Sequence, residues 1–192
     1  GQGFDLYRFY VEASNLSKVN RVVVGSYRVG FGRGLLFGQQ VYGDRLSQVL
    51  NRNSSSYGVS GYGGVSEQPT LLGAATTIQF SRFTVTPFYG YTALDADTAG
   101  GVWHSFSTSG YHRTKTEIAR RSTLGLHTIG ANVAYNQRYF NVGVTAYGGF
   151  FSLPAVLGRD DWSANDFAGD SQWGVSLNYG LPYADTKIRF RI

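Results

Sequence analysis

The densest set of ionisable side chains in this 192-residue chain is Tyr111, His112 and Arg113, followed by Glu117, Arg120 and Arg121. Grouped in space, such Arg and Glu side chains can pair with wall residues across a lumen and narrow it. The same stretch also reads as a plain structural element. In TKTEIARR (114–121), Thr114 is placed as an N-cap and Glu117 as its N3 partner. Two expectations therefore stand side by side: a loop folded into a lumen, and a capped loop helix in solvent.

Other groups with chemical potential are sparse. The histidines are His104, His112 and His127, with no HExxH or paired spacing that would suit zinc. The acids Asp95, Asp97, Asp160, Asp161, Asp166 and Asp170 lack EF-hand spacing. Weak binding of calcium, or of cations that bridge lipopolysaccharide, is their functional reading, and solvated loop polarity is the plainer one. Zero cysteines exclude disulfides, thiolate metal sites and cysteine nucleophiles. Gly30, Gly32 and Gly34 are spaced GxGxG at a strand end with no convincing helix after them, which suits a curving wall better than a dinucleotide loop. No serine stands out as a hydrolase nucleophile. The sequence thus implies no catalytic residue, no cofactor and no metal.

The elements that carry these residues are strands. In RYFNVGVTAYGGF (138–150), Phe140, Val142, Val144, Ala146, Gly148 and Phe150 alternate with Asn141, Gly143, Thr145, Tyr147 and Gly149. A period of two is a β-strand. Charged residues are only 15% and aromatics reach 16%, whereas soluble domains carry roughly 25% charge. No stretch approaches the roughly 20 apolar residues of a membrane-crossing helix, but a tilted strand of about ten residues crosses a bilayer. The net charge of +5 is read as basic residues at rims and in a lumen ahead of an anionic partner.

Eight strands are expected: 4–13, 21–34, 71–80, 82–94, 123–136, 138–151, 171–180 and 184–192. A polar turn, SNLSKVN, joins the first two, tight hairpins join the third to the fourth and the fifth to the sixth, and GLPYAD joins the last two. Long loops fall at 35–70, 95–122 and 152–169, with a short helix candidate at 43–50. Alternating short turns and long loops is the habit of outer-membrane barrels. The expected fold is all-β: an antiparallel up-and-down transmembrane β-barrel, or part of one, of about eight strands in one domain over 1–192.

One face is apolar and uncharged: Val23, Tyr27, Val29, Phe31; Leu72, Ala74, Ile78, Phe80; Phe83, Val85, Tyr89, Tyr91; Ile129, Val133, Tyr135; the strand-six set; Trp173, Val175, Leu177, Tyr179; Ile188, Phe190, Ile192. This is the expected lipid face. The other face is expected inside, with Arg8, Glu12, Ser26, Arg28, Thr77, Gln79, Thr84, Thr86, Thr128, Asn132, Asn136, Asn141, Thr145, Ser176, Asn178, Lys187, Arg189 and Arg191. Pro87 lies mid-strand, where it cannot donate to a ladder, and implies a bulge or an edge.

Several segments resemble a family of Bacteroidetes outer-membrane proteins described as helix-hairpin-helix domain-containing β-barrel proteins. The likeness rests on GFDLYRFYV (3–11), VGSYRVGFGRGLLF (24–37), the GAA of strand three and TSGYHRTKTEIARR (108–121). Gly25, Tyr27, Phe31, Gly32, Gly34 and Leu35 fit the family's G-D-Y-x-x-x-F-G-Q-G-L stretch, with Ser26 in place of the acid and Arg33 in place of Gln. Ser109, Gly110, Tyr111, His112, Arg113 and Thr114 fit its S-G-Y-H-R-T stretch. The resemblance implies a barrel portion without the helix-hairpin-helix region, so no nucleic-acid signal lies in this segment. It also implies a fragment of a larger exported protein, since family members run on at both ends.

The function expected is an outer-membrane barrel acting as pore, transport component or scaffold. Its partners would be the lipid bilayer, lipopolysaccharide and other outer-membrane or periplasmic proteins. The candidate lumen or plug residues are Arg8, Arg28, Tyr111, His112, Arg113, Glu117, Arg120, Arg121, Lys187, Arg189 and Arg191. Two alternatives remain: a barrel enzyme with a rim site built on His112 or His127, and a soluble β-barrel binding an apolar ligand.

Overall fold

The chain is a mostly β protein with a β-barrel core. A computed structural model describes residues 8–32, 34–37, 58–64, 70–107, 114–155 and 168–180. Its elements are β1 (Tyr10–Leu16), β2 (Val19–Gly30), β3 (Gly58–Gly61), β4 (Leu71–Phe80), β5 (Phe83–Ala99), β6 (Val102–Ser107), α1 (Lys115–Ala119), β7 (Leu124–Asn136), β8 (Asn141–Ala155) and β9 (Gly169–Gly180). The predicted helix at 43–50 and the predicted strand 184–192 lie outside the described residues.

The main path of the sheet is β1-β2-β4-β5-β7-β8-β9 with antiparallel neighbours. Two short strands extend it. β3 pairs with Tyr27–Gly30 of β2, beyond the reach of β1, whose last partner is Gly25. β6 pairs with Asp95–Ala99 of β5, above the point where β7 begins. A single parallel bridge, Trp103 with Ala155, ties β6 to β8 and makes the sheet mixed. The simple sequence-order meander therefore gains two branches.

Boundaries shift where turn chemistry decides them. SNLSKVN is not a loop: Asn15 and Leu16 finish β1, and only Ser17-Lys18 separate it from Val19 of β2. Ser17 and Ser81 take positive φ, 56° and 54°, at the first turn position of their hairpins. Gly100 and Gly101, both at positive φ, close a third tight hairpin. Such a pair suits a two-residue turn that follows strand twist. This hairpin makes Asp95 and Asp97 strand residues of β5, a correction to their reading as loop acids.

Pro87 neither bulges β5 nor lies on an edge. It pairs in regular register with Ala131 of β7. Toward β4 the register is the same at Ala75↔Phe88 and Ile78↔Val85, with the ladder open between them. The Thr77 and Thr86 hydroxyls, 3.2 Å apart, bond across that opening. A proline in a central strand is tolerated here because its missing N–H faces a gap already bridged by side chains.

Candidate functional site

The inner wall is built in rows of cross-strand partners. Above the row at the turn end, a central row runs Arg21, Thr77, Thr86, Asn132, Thr145 and Ser176 from β2 to β9. Thr86, Asn132 and Thr145 are buried, and the Asn132 amide donates to the Thr145 hydroxyl at 2.8 Å. At the β1 end of this row Arg21 pairs with Glu12 at 3.2 Å and donates to the Val59 carbonyl, while the Gly61 N–H donates to Glu12. The expected interior of small polar residues is present at this level, and each buried polar group named has a protein partner.

One turn of the wall higher, the interior is apolar. Val23, Ala75, Phe88, Gly130, Tyr147 and Gly174 form the next row. Against it folds a segment at the end of β2, Phe31, Gly32 and Gly34–Phe37. It is closed on itself by the Phe31 N–H to the Phe37 carbonyl, 3.1 Å, and the Gly34 N–H to the Phe31 carbonyl, 3.0 Å. Phe37 sets its ring edge-on to both Phe88 (5.1 Å) and Tyr147 (5.0 Å), and Phe31 lies 5.9 Å from Phe88. A Cβ at Gly32 would strike Asn178 at 2.7 Å, and one at Gly174 would meet Leu36 at 3.2 Å. One short loop rooted on β2 thus touches β5, β8 and β9, so the sheet curls around it as a plug.

This corrects the face assigned to β2. Val23, Tyr27, Val29 and Phe31 point inward, at 0%, 0%, 7% and 6% exposure, while Val24 is outward and half exposed. Ser26 and Arg28 correspondingly leave the inner face. Tyr27 spans β4 beneath the plug, and its hydroxyl donates to the Tyr89 carbonyl of β5 at 2.7 Å. A third row, Gly25, Gly73, Gly90, Thr128, Gly149 and Gln172, has almost no side-chain volume. A Cβ at Gly73 would run into the Tyr89 carbonyl, and one at Gly90 would lie 2.5 Å from Leu71. Small residues here make room for the neighbouring bulk.

The outward face matches the predicted apolar set from β4 to β9. Its rows from the turn end upward are Phe80–Phe83–Tyr135–Val142–Tyr179, then Ile78–Val85–Val133–Val144–Leu177, Thr76–Pro87–Ala131–Ala146–Val175, Ala74–Tyr89–Ile129–Gly148–Trp173 and Leu72–Tyr91–His127–Phe150–Ser171. None of these residues is charged. Many stand open, from Val144 at 41% to Trp173 at 82%. The middle row is small, and a shallow apolar hollow of 840 Å³ opens outward over Ala74, Thr76, Pro87, Ala131, Ala146 and Gly148. Aromatic contacts mark both ends: Phe83 with Tyr135 (4.8 Å) and Tyr135 with Phe140 (5.9 Å) below, Tyr91 with His127 (5.1 Å) above.

The charged candidates among the described residues sit at the loop end. Thr114 and Glu117 form the expected capping box on α1. Arg120 pairs with Asp97 at 2.6 Å, and the Ser122 N–H donates to Asp95. Arg121 is exposed beside them. Arg8 and Arg28 converge on the Tyr62 ring, at 5.2 and 3.3 Å from its centroid, and Arg8 donates to the Gly64 carbonyl. Burial lowers the Arg8 pKa, Tyr62 opposes that, and the Arg28 charge adds to it. Tyr111, His112, Arg113, Lys187, Arg189 and Arg191 lie outside the described residues. His127 is held by the Tyr89 hydroxyl at 2.8 Å. Among the described residues no group of three or more His, Cys, Asp or Glu side chains is placed to hold a metal.

Compared with protein-family models, with curated proteins and with solved structures, the chain matches none.

Proposed function

We propose that this chain is the wall of a bacterial outer-membrane β-barrel whose lumen is plugged, serving as a transport component, gated pore or scaffold. The observation that carries the reading is the outward band of five uncharged rows between aromatic ends. Four row intervals of two residues cover about 27 Å along a strand, or about 20 Å along the membrane normal at a tilt near 40°. That is close to the roughly 25 Å apolar band of such barrels, flanked by aromatic girdles. A solvent-facing wall would not leave Val144, Leu177 and Trp173 open on one continuous uncharged surface. The resemblance to the Bacteroidetes barrel family, with its export to the outer membrane, supports the same reading.

The soluble alternative fares less well. A soluble barrel that binds an apolar ligand would line its interior with apolar side chains and face water with charge. Here the polar row of Thr86, Asn132 and Thr145 lies inside, the upper interior is filled by Phe31, Phe37 and Phe88, and the apolar hollow opens outward.

The test is a lipid requirement. The chain is expected to fold from urea into β-structure only when detergent micelles or lipid vesicles are present, and to resist extraction from vesicles by high salt. Folding to a monodisperse species in plain buffer would overturn the reading.

A further inference from the structure

Three described short turns, those of β1–β2, β4–β5 and β7–β8, lie at one rim of the barrel, opposite the Gly100-Gly101 hairpin, and each carries one cation: Lys18, Arg82 and Arg138. All three residues are exposed, and no Asp or Glu occurs in these turns. The loop end is different, since Arg120 there is neutralised by Asp97. The turns are stitched to their neighbours: the Gln79 N–H donates to the Lys18 carbonyl, and the Asn136 N–H donates to the Arg82 carbonyl. The cations therefore stand on a rigid edge. Successive turns are two strands apart, about 10 Å. That is near the screening length at physiological salt, about 8 Å, so they repel one another weakly and each can meet its own anion.

Directly above these cations lie the lower aromatic residues, with Phe83, Tyr135 and Phe140 in tilted ring contacts. Aromatic rings of this kind settle at the boundary between hydrocarbon and head groups. This places the three cations at the depth of lipid phosphates. We propose that this rim binds the head groups of anionic phospholipid, one phosphate facing each cation, in the leaflet that meets the short turns. The proposal rests on the outer-membrane reading and adds a lipid preference to it. Charge complementarity selects the lipid: three positive groups without an acid favour phosphatidylglycerol over the net-neutral phosphatidylcholine.

The test uses the full chain reconstituted into nanodiscs of phosphatidylcholine with 30% phosphatidylglycerol, released into native mass spectrometry. Phosphatidylglycerol should be enriched on the protein by about fivefold per cation at low salt, and the enrichment should fall as salt rises. The triple variant Lys18→Gln, Arg82→Gln, Arg138→Gln should lose it, and Lys115→Gln with Arg121→Gln at the loop end should keep it. Arg82→Lys, which retains the charge, should also keep it. If the triple variant is as enriched as the parent, or if the enrichment does not fall as salt rises, the rim is not a phospholipid site. A chain that enters the discs without preference overturns this proposal alone, whereas one that stays soluble and enters neither overturns the membrane reading with it.

Discussion

The hydroxyl of Tyr27 on β2 donates to the backbone carbonyl of Tyr89 on β5, 2.7 Å away and across the whole width of β4. The ring that makes this reach is fully buried. It covers the glycine row at Gly73 and Gly90, and its own residue pairs with Leu71. The contact ties β2 to β5 across β4, and Tyr27 shares one buried apolar cluster with Phe31 and Phe88.

Tyr27→Phe should cost about 1–2 kcal/mol of stability, since it removes a buried hydrogen bond and leaves the ring in place. Tyr27→Ala should cost more, about 3–5 kcal/mol, because it empties the space as well. Urea unfolding of both variants in lipid vesicles checks the order. Equal costs would mean that the ring contributes little.

Val144→Arg separates the membrane from water as the outer solvent. Val144 is 41% exposed and outward. In a bilayer an arginine near the midplane should cost about 2–4 kcal/mol, whereas on a wet surface the change should be near zero. Thr145→Arg is not the harmless control that strict alternation suggests, because Thr145 is buried and bonded to Asn132. Gln79→Arg, inward and exposed at the turn end, is the suitable comparison. Val144→Arg as mild as Gln79→Arg in vesicle refolding would remove the lipid face.

Gly130→Ala tests the close packing of wall and plug. A Cβ at Gly130 would lie 2.5 Å from the Phe88 ring and 2.7 Å from the Ala146 carbonyl. The ring can shift only by disturbing Phe37, and the carbonyl belongs to the ladder. A loss of about 1–3 kcal/mol is expected. Gly58→Ala is no simple control despite its open surroundings, because Gly58 has a φ of +68°. Gly148→Ala, which meets only ordinary contacts near 3.4 Å, should be nearly neutral. Thermal unfolding of the two reconstituted variants decides it.

Much of this wall is legible in the sequence because period-two alternation is clean on β4, β5, β7, β8 and β9. A Thr or Asn there can only be inward if Ile129, Val133 and Val144 are outward. The β2 segment fails for a physical reason: Val22-Val23-Val24 offers no alternation, and its inner half faces an apolar plug instead of water. The expected strand 21–34 runs into the plug as far as Gly34, since alternation continues past Gly30, and the expected loop 35–70 takes the rest of it. The β5–β6 hairpin falls inside the expected loop 95–122, where the adjacent glycines Gly100-Gly101 are the signal that could have found it. β3, four residues long, carries too little pattern to be found. At the loop end the Thr114–Glu117 spacing was enough to place α1, because a capping box is a local interaction.

The plug makes the last prediction. Phe37 is pinned by its carbonyl to the Phe31 N–H and by its ring between Phe88 and Tyr147. Removing the ring should leave a gap between β5 and β8 at the level where the small polar row below would otherwise communicate with the loop end. On the membrane reading, the parent should conduct weakly or not at all in planar bilayers, and Phe37→Ala should raise the single-channel conductance or the open fraction several-fold. Phe37 is only partly buried, so the cost in stability should be about 3 kcal/mol or less. Leu35→Ala is the control on the same loop, because Leu35 is 80% exposed, and it should leave both conductance and stability unchanged. If Phe37→Ala unfolds the chain, Phe37→Leu keeps an apolar filler of smaller width and should give an intermediate conductance. Parent-like silence in a folded Phe37→Ala barrel would show that the Phe31–Phe37 loop does not by itself close the lumen.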